Sequence, residues 1–150
     1  KIMISTAKAN SILDGLFRSE DNVMRYLGFS STTPSLGTNG QISNFTEPAA
    51  STGYKRVPLT DEALSSMDAA SGAQIKNGTY NIAFPVPIKD SPYGTATHIG
   101  VFEAATGGTP TITAALSETQ TLGLKATLVL YKNDFTATLA ATDTASNAAG

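Results

Sequence analysis

The feature that most limits what this chain can fold into is a change of apolar period near residue 22. Before it, Ala9, Ile12, Leu13, Leu16 and Phe17 recur at the spacing of one helical face; beyond it the period falls to two. The first pattern predicts a helix over Ser5–Phe17, with Ser5 as N-cap and Lys8, Asp14 and Arg18 on the opposite face. Glu20-Asp21-Asn22 reads as its exit turn. A stripe of this kind needs a surface to cover it, most simply the first sheet.

The second pattern predicts short strands. Val23–Ser30 places Val23, Leu27 and Phe29 on one face. A long polar stretch follows from 31 to 53, of the length usually found in functional or mobile loops. Tyr54–Leu59 reads as a strand with Pro58 at an edge, because proline cannot donate to a central ladder. In the ambiguous segment 60–76, Thr60 can cap a helical turn over Asp61-Glu62-Ala63-Leu64, with a polar loop around Gly72. Asn77-Gly78 is a turn signal between strands at Ala73–Lys76 and Thr79–Phe84. Thr95–Phe102 and Thr111–Ala115 flank the turn Thr106-Gly107-Gly108, and Lys132-Asn133-Asp134 joins Lys125–Tyr131 to Phe135–Leu139 as a hairpin. Seven or eight such strands predict a mainly β fold: an antiparallel, jelly-roll-like β-sandwich with one N-terminal α-helix. One sandwich domain over 1–139, helix 5–17 included, would precede a flexible tail at 140–150. That tail, nearly all Ala, Thr, Ser, Asn and Asp, reads as a frayed terminus or as an arm that orders against a neighbour.

Composition excludes several classes of function. Of 150 residues, 15% are charged and the net charge is −2, with the ten basic residues scattered; phosphate binding needs them clustered, so nucleic acid is not the expected partner. No apolar run approaches the ~20 residues of a membrane span, so membrane insertion is not expected. Lys1-Ile2-Met3-Ile4 is too short for a signal-peptide core, and synthesis in the cytoplasm is the expectation. The chain has no Cys, which removes disulfides and thiolate chemistry together.

Catalytic and metal signals are correspondingly thin. The single histidine, His98, lies in a strand pattern, where packing or hydrogen bonding is the common role; a Ser-His-acid arrangement would require both partners within reach. Asp61-Glu62 with Asp68 lacks the glycine and spacing of a calcium loop, and Gly107-Gly108 lacks the lysine and helix of a phosphate cradle. No cofactor or metal is expected. Sugar binding would call for exposed aromatics; Trp is absent, and of Tyr26, Tyr54, Tyr80, Tyr93 and Tyr131 only Tyr93, in Pro92-Tyr93-Gly94, reads as exposed.

One ordered set of segments carries a resemblance. Tyr26-Leu27-Gly28-Phe29-Ser30-Ser31-Thr32-Thr33-Pro34 is followed by Thr46-Glu47-Pro48 and Gly53-Tyr54-Lys55-Arg56-Val57. Then come Asn81-Ile82-Ala83-Phe84-Pro85 and Thr97-His98-Ile99-Gly100-Val101-Phe102 with Thr106-Gly107-Gly108. Over about residues 8–139 this order resembles a family of short tailed-phage proteins described as tail-fibre or virion-associated. Lys55 and the polar 60–76 segment depart from the pattern, where an aromatic is expected.

The resemblance implies a non-enzymatic structural component of the virion, as tail fibre, neck or surface decoration, made in the bacterial host cytoplasm. Its partners would be other copies of itself and neighbouring virion proteins; a capsid decoration or head-fibre protein, or a module binding a host surface glycan or receptor, is the alternative. A small hydrolase built on His98 is a further rival. Thr33, Pro34, Glu47, Pro48, Tyr54, Arg56, Tyr93 and His98 are the candidate loop-geometry and assembly residues. Pro34 and Pro48 would pin the ends of the 31–53 loop, and Glu47 and Arg56 could pair across it as a surface pair worth under ~1 kcal/mol, or both be solvated. His98 would lie near that loop.

Overall fold

The computed structural model describes residues 5–17, 24–60, 64–69 and 72–140. The exit turn at 20–22, the helical turn at 61–63, the calcium candidate built on Asp61-Glu62 and the tail beyond 140 lie outside the described residues. Helix α1 (Thr6–Phe17) starts where its cap predicts: the Lys8 amide donates to Ser5 Oγ at 3.2 Å and the Ala9 amide to the Ser5 carbonyl at 2.9 Å. Its buried stripe is Ala9, Leu13 and Phe17, narrower than the sequence pattern, since Ile12 and Leu16 are part-exposed.

The strands follow in order as β1 (Arg25–Ser30), β2 (Ser35–Leu36), β3 (Ile42–Ser43), β4 (Val57–Leu59), β5 (Ser65–Ala69) and β6 (Gly72–Lys76). After them come β7 (Ile82–Ala83), β8 (Gly94–Phe102), β9 (Ile112–Leu122), β10 (Val129–Leu130) and β11 (Thr136–Ala140). All pairings are antiparallel, in sheets ordered β4-β1-β8-β9, β11-β6-β5, β10-β7 and β2-β3. The fold is mainly β with one N-terminal helix; these pairings alone do not make a jelly roll. Pro58 sits in the edge strand β4, where its missing N–H leaves no gap in the ladder.

Several expectations are corrected. The 31–53 stretch is not irregular throughout: it folds back as the β2–β3 hairpin and closes with a 3₁₀ turn at Ala50–Thr52. The polar loop expected around Gly72 is a hairpin of β5 and β6. Helix α1 packs on the β11-β6-β5 sheet rather than on the first sheet, with Phe17 edge-on to Phe135 at 5.6 Å. Arg25 in β1 nevertheless reaches that helix, its guanidinium donating to the carbonyls of Gly15 at 3.1 Å and Leu16 at 3.3 Å in the last turn. The strand expected over Lys125–Tyr131 shrinks to Val129–Leu130, because Lys125 is left-handed at φ 61.

Neither expected hairpin around residues 77 and 133 forms. Strand β6 pairs with β11 and β7 with β10, so Asn77-Gly78 and Lys132-Asn133-Asp134 are crossings between two sheets. Asn77 is fully buried, and its Nδ2 donates to the carbonyls of Tyr80 (3.0 Å), Leu130 (3.3 Å) and Tyr131 (3.0 Å). Its Oδ1 accepts from the Phe135 amide at 3.0 Å, and its own amide donates to the Phe135 carbonyl. One amide side chain thus ties both crossings together.

The core joins the sheets through aromatic edges. Phe29 of β1 lies edge-on to Tyr54 (5.2 Å), Phe84 (4.9 Å) and Tyr93 (5.7 Å), and the Phe84 amide donates to the Leu128 carbonyl, extending the β7–β10 ribbon over the large sheet. Each such pair contributes about 0.5–1.5 kcal/mol beyond the area it buries.

Replacing Asn77 by Ala strands a buried N–H and carbonyls together, which costs about 3 kcal/mol or more. Denaturant unfolding should show that loss, against a change within about 0.5 kcal/mol for the exposed Lys132→Ala. A loss below 1 kcal/mol for Asn77→Ala would contradict its role as the tie.

Candidate functional site

The site grows out of two glycines. Register places Gly28 of β1 opposite Gly100 of β8, and opposed residues of an antiparallel pair share a face, so the sheet carries an indentation there. A Cβ on Gly28 would lie 2.7 Å from Glu47 Oε1 and 2.8 Å from the Tyr54 hydroxyl; one on Gly100 would lie 2.8 Å from the Phe45 ring. The missing side chains are therefore the space into which the end of the 31–53 loop packs. Both glycines went unread in the sequence, although glycine inside a strand signals close approach of another chain segment.

Arg56 closes over that space. Its Nε donates to Glu47 Oε1 at 2.9 Å and its Nη2 to Oε2 at 2.8 Å, the two-pronged geometry that guanidinium and carboxylate share. Nη1 donates to the carbonyls of Ala104 and Gly107, each at 2.8 Å, in the β8–β9 connection, where Gly107 and Gly108 hold left-handed φ. The guanidinium carbon stands 3.4 Å over the Phe102 ring, which meets Phe45 edge-on at 5.4 Å. The pair expected at the surface is thus shielded: the side chains of Arg56 and Glu47 are 5% and 21% exposed. For ions this enclosed, removal of one partner costs about 3–5 kcal/mol rather than the fraction of a kcal/mol expected of a solvated pair.

Tyr54 supplies the third member. Strand β4 pairs with β1 only over Arg25–Leu27, which leaves the Phe29 amide beyond its reach. That amide donates to the Tyr54 hydroxyl at 3.1 Å, and the hydroxyl donates to Glu47 Oε1 at 2.7 Å. Burial first, and the Glu47 charge second, push the Tyr54 phenol well above the usual tyrosine range, so it stays a donor at all ordinary pH.

The other end of the loop is held by hydroxyls. Ser30, fully buried, accepts the Thr46 amide at 2.9 Å, and the Ser31 amide donates to the Thr46 carbonyl at 3.0 Å. Thr97 Oγ1 of β8 donates to the Ser30 carbonyl at 3.1 Å. His98 Nδ1 lies 2.9 Å from the same hydroxyl, so the two side chains share a hydrogen bond whose direction follows the imidazole tautomer. His98 is paired across β8 with Ser30 and Ala115, beside the loop, and its ring Nδ1 meets the Thr97 hydroxyl.

Of the remaining candidates, Thr33 gives its carbonyl to Asn44 Nδ2 at 2.8 Å, Pro34 precedes β2, and Pro48 lines a cavity of about 430 Å3 beside Tyr54 and Arg56. Tyr93 corrects the sequence reading: it is buried at 7% exposure in the Phe29 cluster, its hydroxyl donating to the Pro85 carbonyl. The exposed tyrosines are Tyr80 and Tyr131, at 57% and 63%. Among the described residues, no group of three or more His, Asp or Glu side chains could hold a metal ion.

The polar groups gathered here bond to one another and to the main chain, and so fix the 31–53 loop against the sheet. A family model described as Podophage GP4 fiber I protein gp80 matches residues 3–138 of the 150, and the chain belongs to that family of short-tailed-phage fibre proteins. No curated protein matches the chain. Within the matched span lie Gly28, Glu47, Tyr54, Arg56 and Gly100.

Tyr54→Phe is expected to cost about 1–3 kcal/mol in denaturant unfolding, because the Phe29 amide loses its acceptor. The raised phenol also sets an alkaline limit. Its stabilisation is fully present below the unfolded value of about 10 and is lost as pH climbs through the folded one. The wild type should therefore lose stability above about pH 10 more steeply than Tyr54→Phe; equal alkaline slopes would contradict the assignment.

Proposed function

We propose that this chain is a non-enzymatic building block of the short-tailed-phage particle, acting by holding a fixed shape against neighbouring virion proteins. Membership of the fibre-protein family carries this reading. The interior supports it: the charged pair Glu47–Arg56 and the buried Ser30 and Asn77 are all bound to other parts of the chain, which suits a scaffold whose loops must keep their geometry under load. Within that reading the sheets are the layers of a sandwich, with the β7–β10 ribbon and α1 on opposite parts of it, and the particle location is a tail fibre, neck or surface decoration.

A second reading, binding of a host glycan or receptor, is favoured by Tyr80 and Tyr131. Their carbonyls share the buried Asn77 amide, so two exposed aromatic residues are held near one another on a rigid base. No described helix is long and apolar enough to cross a membrane.

Mass spectrometry of purified particles, with labelled antibody located by cryo-microscopy, tests the first reading. The chain should be a stoichiometric component at one defined position; its absence from washed, infectious particles would contradict a structural role. Retention of the purified protein on host surface polysaccharide, lost in Tyr80→Ala/Tyr131→Ala, would add the second.

A further inference from the structure

We propose that the outer edge of β9 is the docking site for a second copy of this chain, which pairs with it antiparallel and covers the groove alongside. The inference rests on the reading of the chain as an assembly component and names the surface used. The large sheet treats its two edges differently. Strand β4 is three residues long and carries Pro58, both devices that discourage pairing. Strand β9 at the opposite edge runs for eleven residues without a proline or a lysine, and its only charged residue is Glu118. Among the described residues no strand pairs with its outer side.

Register shows how that edge is shaped. Ala96 pairs with Gln120 and His98 with Ala115, so Leu116 to Thr119 stand opposite Thr97 alone and bulge out of the ladder. The bulge carries Glu118 away from the straight segment 112–115, which is left as Ile-Thr-Ala-Ala with Ala114 and Ala115 exposed. Beside it lies an open groove of about 630 Å3, whose lining includes Ile112, Leu116, Leu128, Leu130, Phe135 and Ala137. The main-chain groups of 112–115 that point away from β8 supply hydrogen bonds, and the groove supplies apolar area.

A second copy fits this edge because the segment is complementary to itself. Pairing 112–115 with the same segment about a two-fold axis sets Ile112 opposite Ala115 and Thr113 opposite Ala114, so no charges meet and no bulky pair collides. Two four-stranded sheets then become one continuous sheet, and each copy's Ile112 and Leu116 lie next to the other's groove.

Light scattering on the full-length chain across a concentration series tests this, together with amide exchange. The wild type should form a two-fold assembly, with the outward-pointing amides of 112–115 protected in step with concentration. Ala115→Lys should raise the dissociation constant at least tenfold, whereas Gln41→Lys on the β2–β3 hairpin should leave it unchanged. An assembly that survives Ala115→Lys, or exchange at 112–115 that is indifferent to concentration, overturns the proposal. Should Ala115→Lys fail to fold, the wild-type exchange decides alone. A wild-type monomer that is nonetheless present in particles overturns the docking edge and leaves the structural role standing; a monomer absent from particles removes both.

Discussion

The bidentate contact between Arg56 and Glu47 is the interaction on which the rest of the described fold depends. It fastens three things that have no covalent reason to meet: the end of the 31–53 loop, the start of β4 and the connection between β8 and β9. Arginine alone among the basic side chains can do this, because its planar fork holds both carboxylate oxygens while a third nitrogen reaches two carbonyls. Withdrawing both ions from water is costly, and the Tyr54 hydroxyl, the Phe102 face and the two carbonyls offset that cost by leaving few charged atoms without a partner. Exchanging the pair for apolar residues of equal volume would keep the packing but lose the directional bonds that define where the loop lies.

The pair exists only because the sheet beneath it is hollow. Gly28 and Gly100 remove side chains at one register position, and the loop fills what they leave. Glycine in a strand weakens it, which makes this a trade of local strand stability for the close approach of a second layer. Asn77 plays the matching part between the β11-β6-β5 sheet and the β7–β10 ribbon, where a side-chain amide rather than a turn links two sheets. Both devices fix geometry between layers, which a fibre-family protein needs if its surface is to present one shape to its neighbours.

Much of this was legible in the residues, and the remainder was hidden for identifiable reasons. The helical stripe, the Ser5 cap, the edge position of Pro58 and the Glu47–Arg56 pairing rest on local pattern or on residues close in sequence, so the linear chain displays them. The burial of that pair was not displayed, because Phe102, Ala104 and Gly107, which enclose it, lie some fifty positions away. Tyr93 reads as a turn residue for the same reason: its burial depends on Phe29 and Tyr54, which nothing near it announces. Asn77-Gly78 carries the signature of a hairpin, yet the asparagine is drawn inward by three distant main-chain groups, and tertiary hydrogen bonding outweighs the turn preference. The β5–β6 hairpin, polar and poor in branched residues, shows little alternation to read, and it forms against β11 and α1 rather than from propensity.

The most direct test of the clamp is native-state amide exchange at Ser31 and Thr46, where the loop joins the sheet. If Arg56 and Glu47 hold the loop in place, both amides should exchange as slowly as that of Leu27 in β1, and should speed up together in Arg56→Lys while the Leu27 amide remains slow. Exchange in the wild type at the rate of an open loop, or protection that survives Arg56→Lys unchanged, would show that the fold does not depend on this interaction.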